Sequence, residues 1–376
     1  MKLALIARLV VPALAAFGLA QTASAQIGYR VKNLVSDIPG LAAHHDPNLK
    51  NPWGISAGPA TPFWVSNAGS GTSTLYNTTG QPLPLVVTVP HPAGGPAVPT
   101  GQVFNPSASF NNDRFIFANA RGTIAGWRGG LGTTAETLFD RSDVGAEYLG
   151  LAFGSVATEN YLYAADFANN RIDVFSSTGL TTLTGDFTDA SLPTGYAPFN
   201  VQSVGGSLFV TYALRGADGF DVAGVGNGYV NQFDFSGNLV GRFSSQGLLN
   251  SPWGLALAPE GFGEFSGNLL VGNFGDGTIN AFDFTTGDLV GTIKDSQGNP
   301  LVFEGLWGLQ FGNGGNGGKL GTLYFAAGIN DEQNGLFGSI TPVPEPSTYA
   351  AFAAAGLLGF IAWKHRRRNP LVTPRE

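Results

Sequence analysis

Between residues 29 and 340, apolar residues come in short runs divided by breaks rich in Gly, Pro, Asn and Asp. Short apolar runs bounded by turn residues predict β-strands rather than helices. Six segments repeat one order. A strand with a Trp-Gly or similar glycine step comes first, then a strongly apolar strand ending in Asn, Asp or a small residue. A glycine-containing turn and a third strand ending in an aromatic follow. The clearest copies open at Asn51-Pro52-Trp53-Gly54-Ile55, Ser251-Pro252-Trp253-Gly254-Leu255 and Gly305-Leu306-Trp307-Gly308-Leu309. Weaker copies open at Thr100-Gly101, Leu149-Gly150 and Phe199-Asn200.

The anchors at residues 54, 101, 150, 200, 254 and 308 lie 47 to 54 residues apart. That is the length of a propeller blade of four antiparallel strands. The expected fold is therefore all-β, a six-bladed β-propeller over residues 26–340. Residues 83–89, 239–243 and 289–293 fit as fourth strands. The sixth copy lacks one, and residues 29–35 form a strand that belongs to no copy. We expect this N-terminal strand to complete the sixth blade and close the ring, which removes an exposed edge. The inner strands are crowded near the axis. Glycine there admits a neighbouring backbone, and Trp53, Trp253 and Trp307 are expected to fill space between blades; stacking on a sugar is their alternative role.

Composition agrees with this reading. Gly (55) and Pro (23) are abundant, as a fold of many tight turns requires. There is no Cys, which excludes disulfides and thiolate chemistry. The net charge of −7 hides a more acidic domain. The segments outside residues 26–340 hold seven basic and two acidic residues, so the domain keeps 12 basic and 24 acidic, a charge of −12. Such a surface does not suit nucleic acid.

The two ends read as addresses. Residues 1–25 form a signal peptide: Lys2 and Arg8, an apolar stretch, then Ala23-Ser24-Ala25, with cleavage after Ala25. Residues 341–376 hold Pro344-Glu345-Pro346, an apolar run over residues 349–363, and the basic cluster Lys364-His365-Arg366-Arg367-Arg368. The run is short for a membrane-spanning helix, but snorkelling Arg stems extend its reach, and the basic cluster places the tail on the cytoplasmic side. This arrangement resembles the PEP-CTERM sorting signal. The resemblance implies transient anchoring in the inner membrane, processing by an exosortase-type peptidase, and a Gram-negative host that makes exopolysaccharide. The final residues 369–376 run past the Arg cluster, where many such proteins stop.

Several stretches of the domain also resemble one family: Asp46-Pro47-Asn48-Leu49, Tyr163-Ala164-Ala165-Asp166-Phe167, Gly195-Tyr196-Ala197-Pro198-Phe199-Asn200, and residues 270–283. It is a family of secreted bacterial proteins of unknown function, expected to be propellers and often carrying PEP-CTERM signals. The resemblance covers nearly all of residues 29–340 and implies no activity.

No nucleophile elbow, zinc-protease helix motif, phosphate loop or EF-hand loop occurs. His44-His45-Asp46 is either a metal-binding group or a polar loop. Asn67, Asn119, Asp166 and Asn273 end the second strand of four copies, so they should lie on a ring about the axis, with Asn200 and Asp331 nearby. A ring of such oxygens suits calcium; the same residues also cap strand ends and build turns. Two functions stay open. One is an exported binding or structural protein that meets a surface polymer such as exopolysaccharide. The other is a calcium-dependent lactonase- or esterase-like hydrolase, an analogy at the level of fold.

Overall fold

The computed structural model describes residues 28–91, 94–95, 97–343 and Phe360. The signal peptide with its Ala25 cleavage point and the sorting segment, Pro344, Glu345, Pro346, Arg366, Arg367 and Arg368 included, lie outside these residues. Among the described residues no helix is long and apolar enough to cross a membrane.

Six antiparallel sheets follow one another along the chain, each ordered from an inner strand outward. The inner strands are Pro52–Ser56, Pro99–Phe104, Tyr148–Val156, Tyr196–Val204, Pro252–Leu257 and Leu306–Phe311. They open blades 1 to 6, and each packs on the next, the sixth returning to the first. The described residues between 28 and 343 thus form one compact unit, a six-bladed propeller.

Inner and second strands are buried on both faces, as in Phe63–Asn67 and Leu269–Asn273, because each blade is covered by two neighbours. This explains their continuous apolar runs. The outer strands are half exposed and alternate poorly, as Leu289–Thr292 shows. Fourth strands in blades 2 and 3, Glu136–Asp140 and Gly179–Thr181, had no sequence signal of this kind. Six apolar clusters each join two adjacent blades. A seventh lies on the axis.

The ring closes as expected. Tyr29–Ser36 pairs antiparallel with Leu336–Pro342, from Tyr29 opposite Pro342 to Ser36 opposite Leu336. The sheet gains one unforeseen member, the two-residue strand His44–His45, parallel to Val35–Ser36. The Tyr29 hydroxyl donates to the Phe262 carbonyl at 2.9 Å, tying the closing strand to blade 5 as well.

Every inner strand carries a register irregularity at its anchor, such as Pro52 to Ile55 or Pro252 to Gly254. A bulge bends a strand and redirects its side chains. A Cβ on Gly54 would stand 2.6 Å from the Thr100 carbonyl oxygen of blade 2, and one on Gly254 would overlap the Trp307 carbonyl oxygen. The obstacles are backbone atoms of the next inner strand, so a side chain cannot swing clear. We expect Gly254→Ala to lower unfolding free energy by about 2 kcal/mol or more, measured by urea denaturation of the full-length protein; an unchanged midpoint would show that the blades can move apart.

Candidate functional site

The bulges divide the axis into two ends. Residues before the anchors meet at one end, and residues after them at the other. At the first end Trp53, Trp253 and Trp307 do not fill the spaces between blades, as expected from sequence; they pack on each other. Trp53 and Trp307 are stacked with centroids 3.3 Å apart, and Trp253 stands edge-on to both at 5.9 and 5.7 Å. Phe274 stacks on Trp307 at 4.0 Å, and Phe199 approaches it at 5.7 Å. The redirection at the bulge turns these rings inward, and the space between blades 1 and 2 is filled by Trp64 against Phe115 instead.

The four residues proposed for a cation ring lie at the ends of second strands, as expected, and all are fully buried. Each bonds within its own blade or its entry loop. Asn67 Nδ2 donates to the Thr74 hydroxyl at 3.0 Å. Asn119 Oδ1 accepts the Val98 and Arg121 amides, and its Nδ2 donates to Thr123. Asp166 accepts the Glu147 and Asn169 amides and the Asn169 side chain, with Arg171 at 3.4 Å. Asn273 Oδ1 accepts the Asn250 amide, and its Nδ2 donates to the Leu248 carbonyl at 2.7 Å. The residues that follow them, Ala68, Ala120, Phe167 and Phe274, join the axial aromatic cluster. Among the described residues no group of three or more His, Asp or Glu is placed to hold a metal ion.

Asn67 Oδ1, by contrast, is buried without a hydrogen-bond partner; the other candidates are engaged. Asn200 takes the place of the anchor glycine in blade 4, and its Nδ2 donates to the Trp253 carbonyl at 2.7 Å. The Asp331 amide donates to Glu304 Oε1. Asp46 accepts the Tyr76 hydroxyl at 2.9 Å and the Asn48 amide, and His45 Nε2 meets the Asp37 carbonyl at 3.1 Å. For Asp166→Ala the expected loss is about 2 kcal/mol, since three donors lose a buried acceptor, read by urea unfolding with and without calcium. A loss confined to calcium-containing buffer would mean that the carboxylate holds a cation rather than a turn.

At the second end the inner strands border a funnel of about 310 Å³. Gly54, Ser56, Gly101, Val103, Phe104, Leu151, Phe153, Asn200, Gln202, Ser203, Leu309 and Gln310 line it, with Trp253 as part of its wall. An adjoining recess of about 230 Å³ shares Gln202, Ser203 and Gln310. No lining residue titrates. Ser56 Oγ is buried without a partner. The Gln202 side chain makes no hydrogen bond, and Gln310 Nε2 reaches only the neighbouring Phe311 carbonyl at 3.2 Å. These groups offer neutral donors and acceptors beside aliphatic and aromatic surface. They escaped the sequence reading because a Ser or Gln in a strand has no distinguishing pattern.

Residues 342–368 match the PEP-CTERM protein-sorting motif. A motif of this kind marks an exported protein that is anchored in a membrane and then processed by an exosortase-type system. Over 327 residues the chain is 32% identical to uncharacterized protein R648 of Acanthamoeba polyphaga mimivirus, covering 83% of this chain and 80% of that one. Uncharacterized protein L690 of the same virus is 31% identical over 83% of this chain and 85% of its own length. The chain belongs to the family of these proteins. These relatives are viral, whereas the sequence resemblance implied a bacterial family. Among solved structures, a glucose dehydrogenase superposes with a TM-score of 0.53 at 14% identity, covering 84% of this chain and 99% of that one. An auxiliary nutrient binding protein from Bacteroides thetaiotaomicron gives 0.52 at 11% identity, covering 84% and 77%. These likenesses show the propeller fold alone.

Proposed function

We propose that this chain is an exported binding protein whose axial funnel takes an uncharged, hydroxyl-rich ligand, such as the end or a short stretch of a neutral saccharide. The observation that carries the reading is the lining: amides, hydroxyls and aromatic or aliphatic surface, with no group able to move a proton near neutral pH. Acid–base catalysis needs a titratable group within hydrogen-bond reach of the reacting atoms; recognition of a sugar needs the neutral donors and acceptors that Gln202, Gln310, Ser56 and Ser203 supply. The cavity is of a size for one or two sugar rings. The sorting motif supports display outside the inner membrane, where a surface polymer would be met.

Two experiments test this. Calorimetric titration of the full-length protein with neutral mono- and oligosaccharides should reveal binding, and the double variant Gln202→Ala/Gln310→Ala should weaken it about tenfold, the loss of roughly one net hydrogen bond. Binding that ignores both substitutions, or no binding across the panel, removes the funnel reading. For sorting, intact-mass analysis of protein recovered from a host with an exosortase should show a chain ending near Pro344-Glu345-Pro346; an intact Glu376 terminus would refute processing.

A further inference from the structure

The fourth strand of blade 3, Gly179–Thr181, has three residues and is the shortest of the fourth strands. It pairs with Val174, Phe175 and Ser176 and then leaves the sheet. Arg171, Ile172 and Asp173 of the third strand therefore pair on their inner side alone. The departing chain fastens to blade 4 instead: the Gly185 amide donates to the Ser236 carbonyl at 2.8 Å, and the Phe187 amide to the Gly237 carbonyl at 3.1 Å. Beside the uncovered edge lies a cavity of about 590 Å³. Residues 171–174, 180–187 and 237–239 border it, together with Arg141, which follows the outer strand of blade 2.

Arg141 brings an uncommitted charge to this cavity. Its side chain enters no hydrogen bond or ion pair among the described residues, and its Nε is buried without an acceptor. The carboxylates in the same wall are already engaged. Asp173 accepts the Tyr148 hydroxyl at 2.6 Å and Arg171 Nε at 2.7 Å, and Asp186 accepts the Thr188 hydroxyl at 2.6 Å. Arg171 is held by Asp173 and, at 3.4 Å, by Asp166. Three hydroxyls of the lining, on Thr181, Thr182 and Thr184, make no hydrogen bond either. Apolar surface stands beside them: Leu180 is 47% exposed, and Phe187 borders the same space. A buried guanidinium donor costs stability until an acceptor meets it, and its planar fork suits a carboxylate.

We propose that this cavity is a second binding site, for a carboxylate carried on a hydroxyl-bearing ring, the chemistry of a sugar acid. Arg141 donates to the carboxylate, and Thr181, Thr182 and Thr184 exchange hydrogen bonds with the ring hydroxyls. The apolar face of the ring lies against Leu180 and Phe187. The charges in the wall set the selectivity. Among the lining residues Arg141 alone is a cation without a carboxylate partner, and Asp173 and Asp186 share the wall. One negative charge is matched, whereas a second meets repulsion, which disfavours a phosphate dianion. A neutral sugar leaves the guanidinium unpaired. The cavity shares no lining residue with the funnel or its recess, so this site does not rest on the funnel reading.

The test is calorimetric titration of the full-length protein with glucuronate, glucose, glucose 6-phosphate and acetate. Glucuronate should bind at least tenfold more tightly than each of the other three. Arg141→Gln should weaken glucuronate at least tenfold and leave the circular dichroism unchanged, because the side chain has no partner to lose. Thr182→Val/Thr184→Val alters two exposed residues, keeps the fold available for titration, and should weaken glucuronate about threefold or more. Gln202→Ala/Gln310→Ala should leave glucuronate binding as it is, which separates this site from the funnel. The proposal is overturned if glucuronate does not bind, or if its affinity survives either the Arg141 or the threonine substitutions. It is equally overturned if glucose or glucose 6-phosphate binds as well as glucuronate. Acetate binding as tightly as glucuronate overturns it too, because the ring then contributes nothing.

Discussion

The molecule depends on how closely six inner strands approach one axis. Backbone comes so near to backbone that a β-carbon at Gly54 or Gly254 has no place. The same crowding explains the irregular register of every inner strand, since a flat ladder would drive side chains into the next blade. It also explains Asn200, the exception in blade 4. There the side chain lies along the neighbour and donates to the Trp253 carbonyl, so the contact that other blades make through absence of a side chain is made through a hydrogen bond.

The repeat, the blade count and the closing strand were legible because they rest on spacing and on the need to cover an edge. The destination of the tryptophans was not. Spacing gives a position along a strand, whereas the bulge decides the side to which a ring turns, and a bulge at a Gly step leaves no pattern of its own. Trp64, with no glycine after it, went where an ordinary strand residue goes, between blades 1 and 2. The short strands Glu136–Asp140 and Gly179–Thr181 were missed for another reason. They face solvent on the outside of the wheel and need no apolar run.

The functional surfaces show the same division. Asn67, Asn119, Asp166 and Asn273 drew attention because they recur, and the structure finds them at the expected strand ends, each with hydrogen bonds of its own. Recurrence is what a shared structural task produces. Unpartnered groups occur at a recurring position, Asn67 Oδ1, as well as at Gln202 in the funnel and at the Trp253 indole, where Ser251 stands in place of the Asn51 of blade 1. That last contrast was printed in the sequence as Asn-Pro-Trp-Gly against Ser-Pro-Trp-Gly. Only the fate of the two indole N–H groups gives it meaning.

The seam of the ring has a bearing on how the chain is cut. The outermost pair of the closing strands is Tyr29 with Pro342, and the Val343 amide adds one more bond, to the Gly28 carbonyl at 2.8 Å. The matched sorting motif begins at residue 342. Address and fastening therefore share two residues, Pro342 and Val343, with no spacer between them. A peptidase that cut even a few residues upstream of the Pro-Glu-Pro step would take away backbone partners of the N-terminal strand and begin to unzip blade 6. If the chain is processed at this motif, the paired seam shields the bonds upstream of it, and the fold itself would limit how far back a cut can fall.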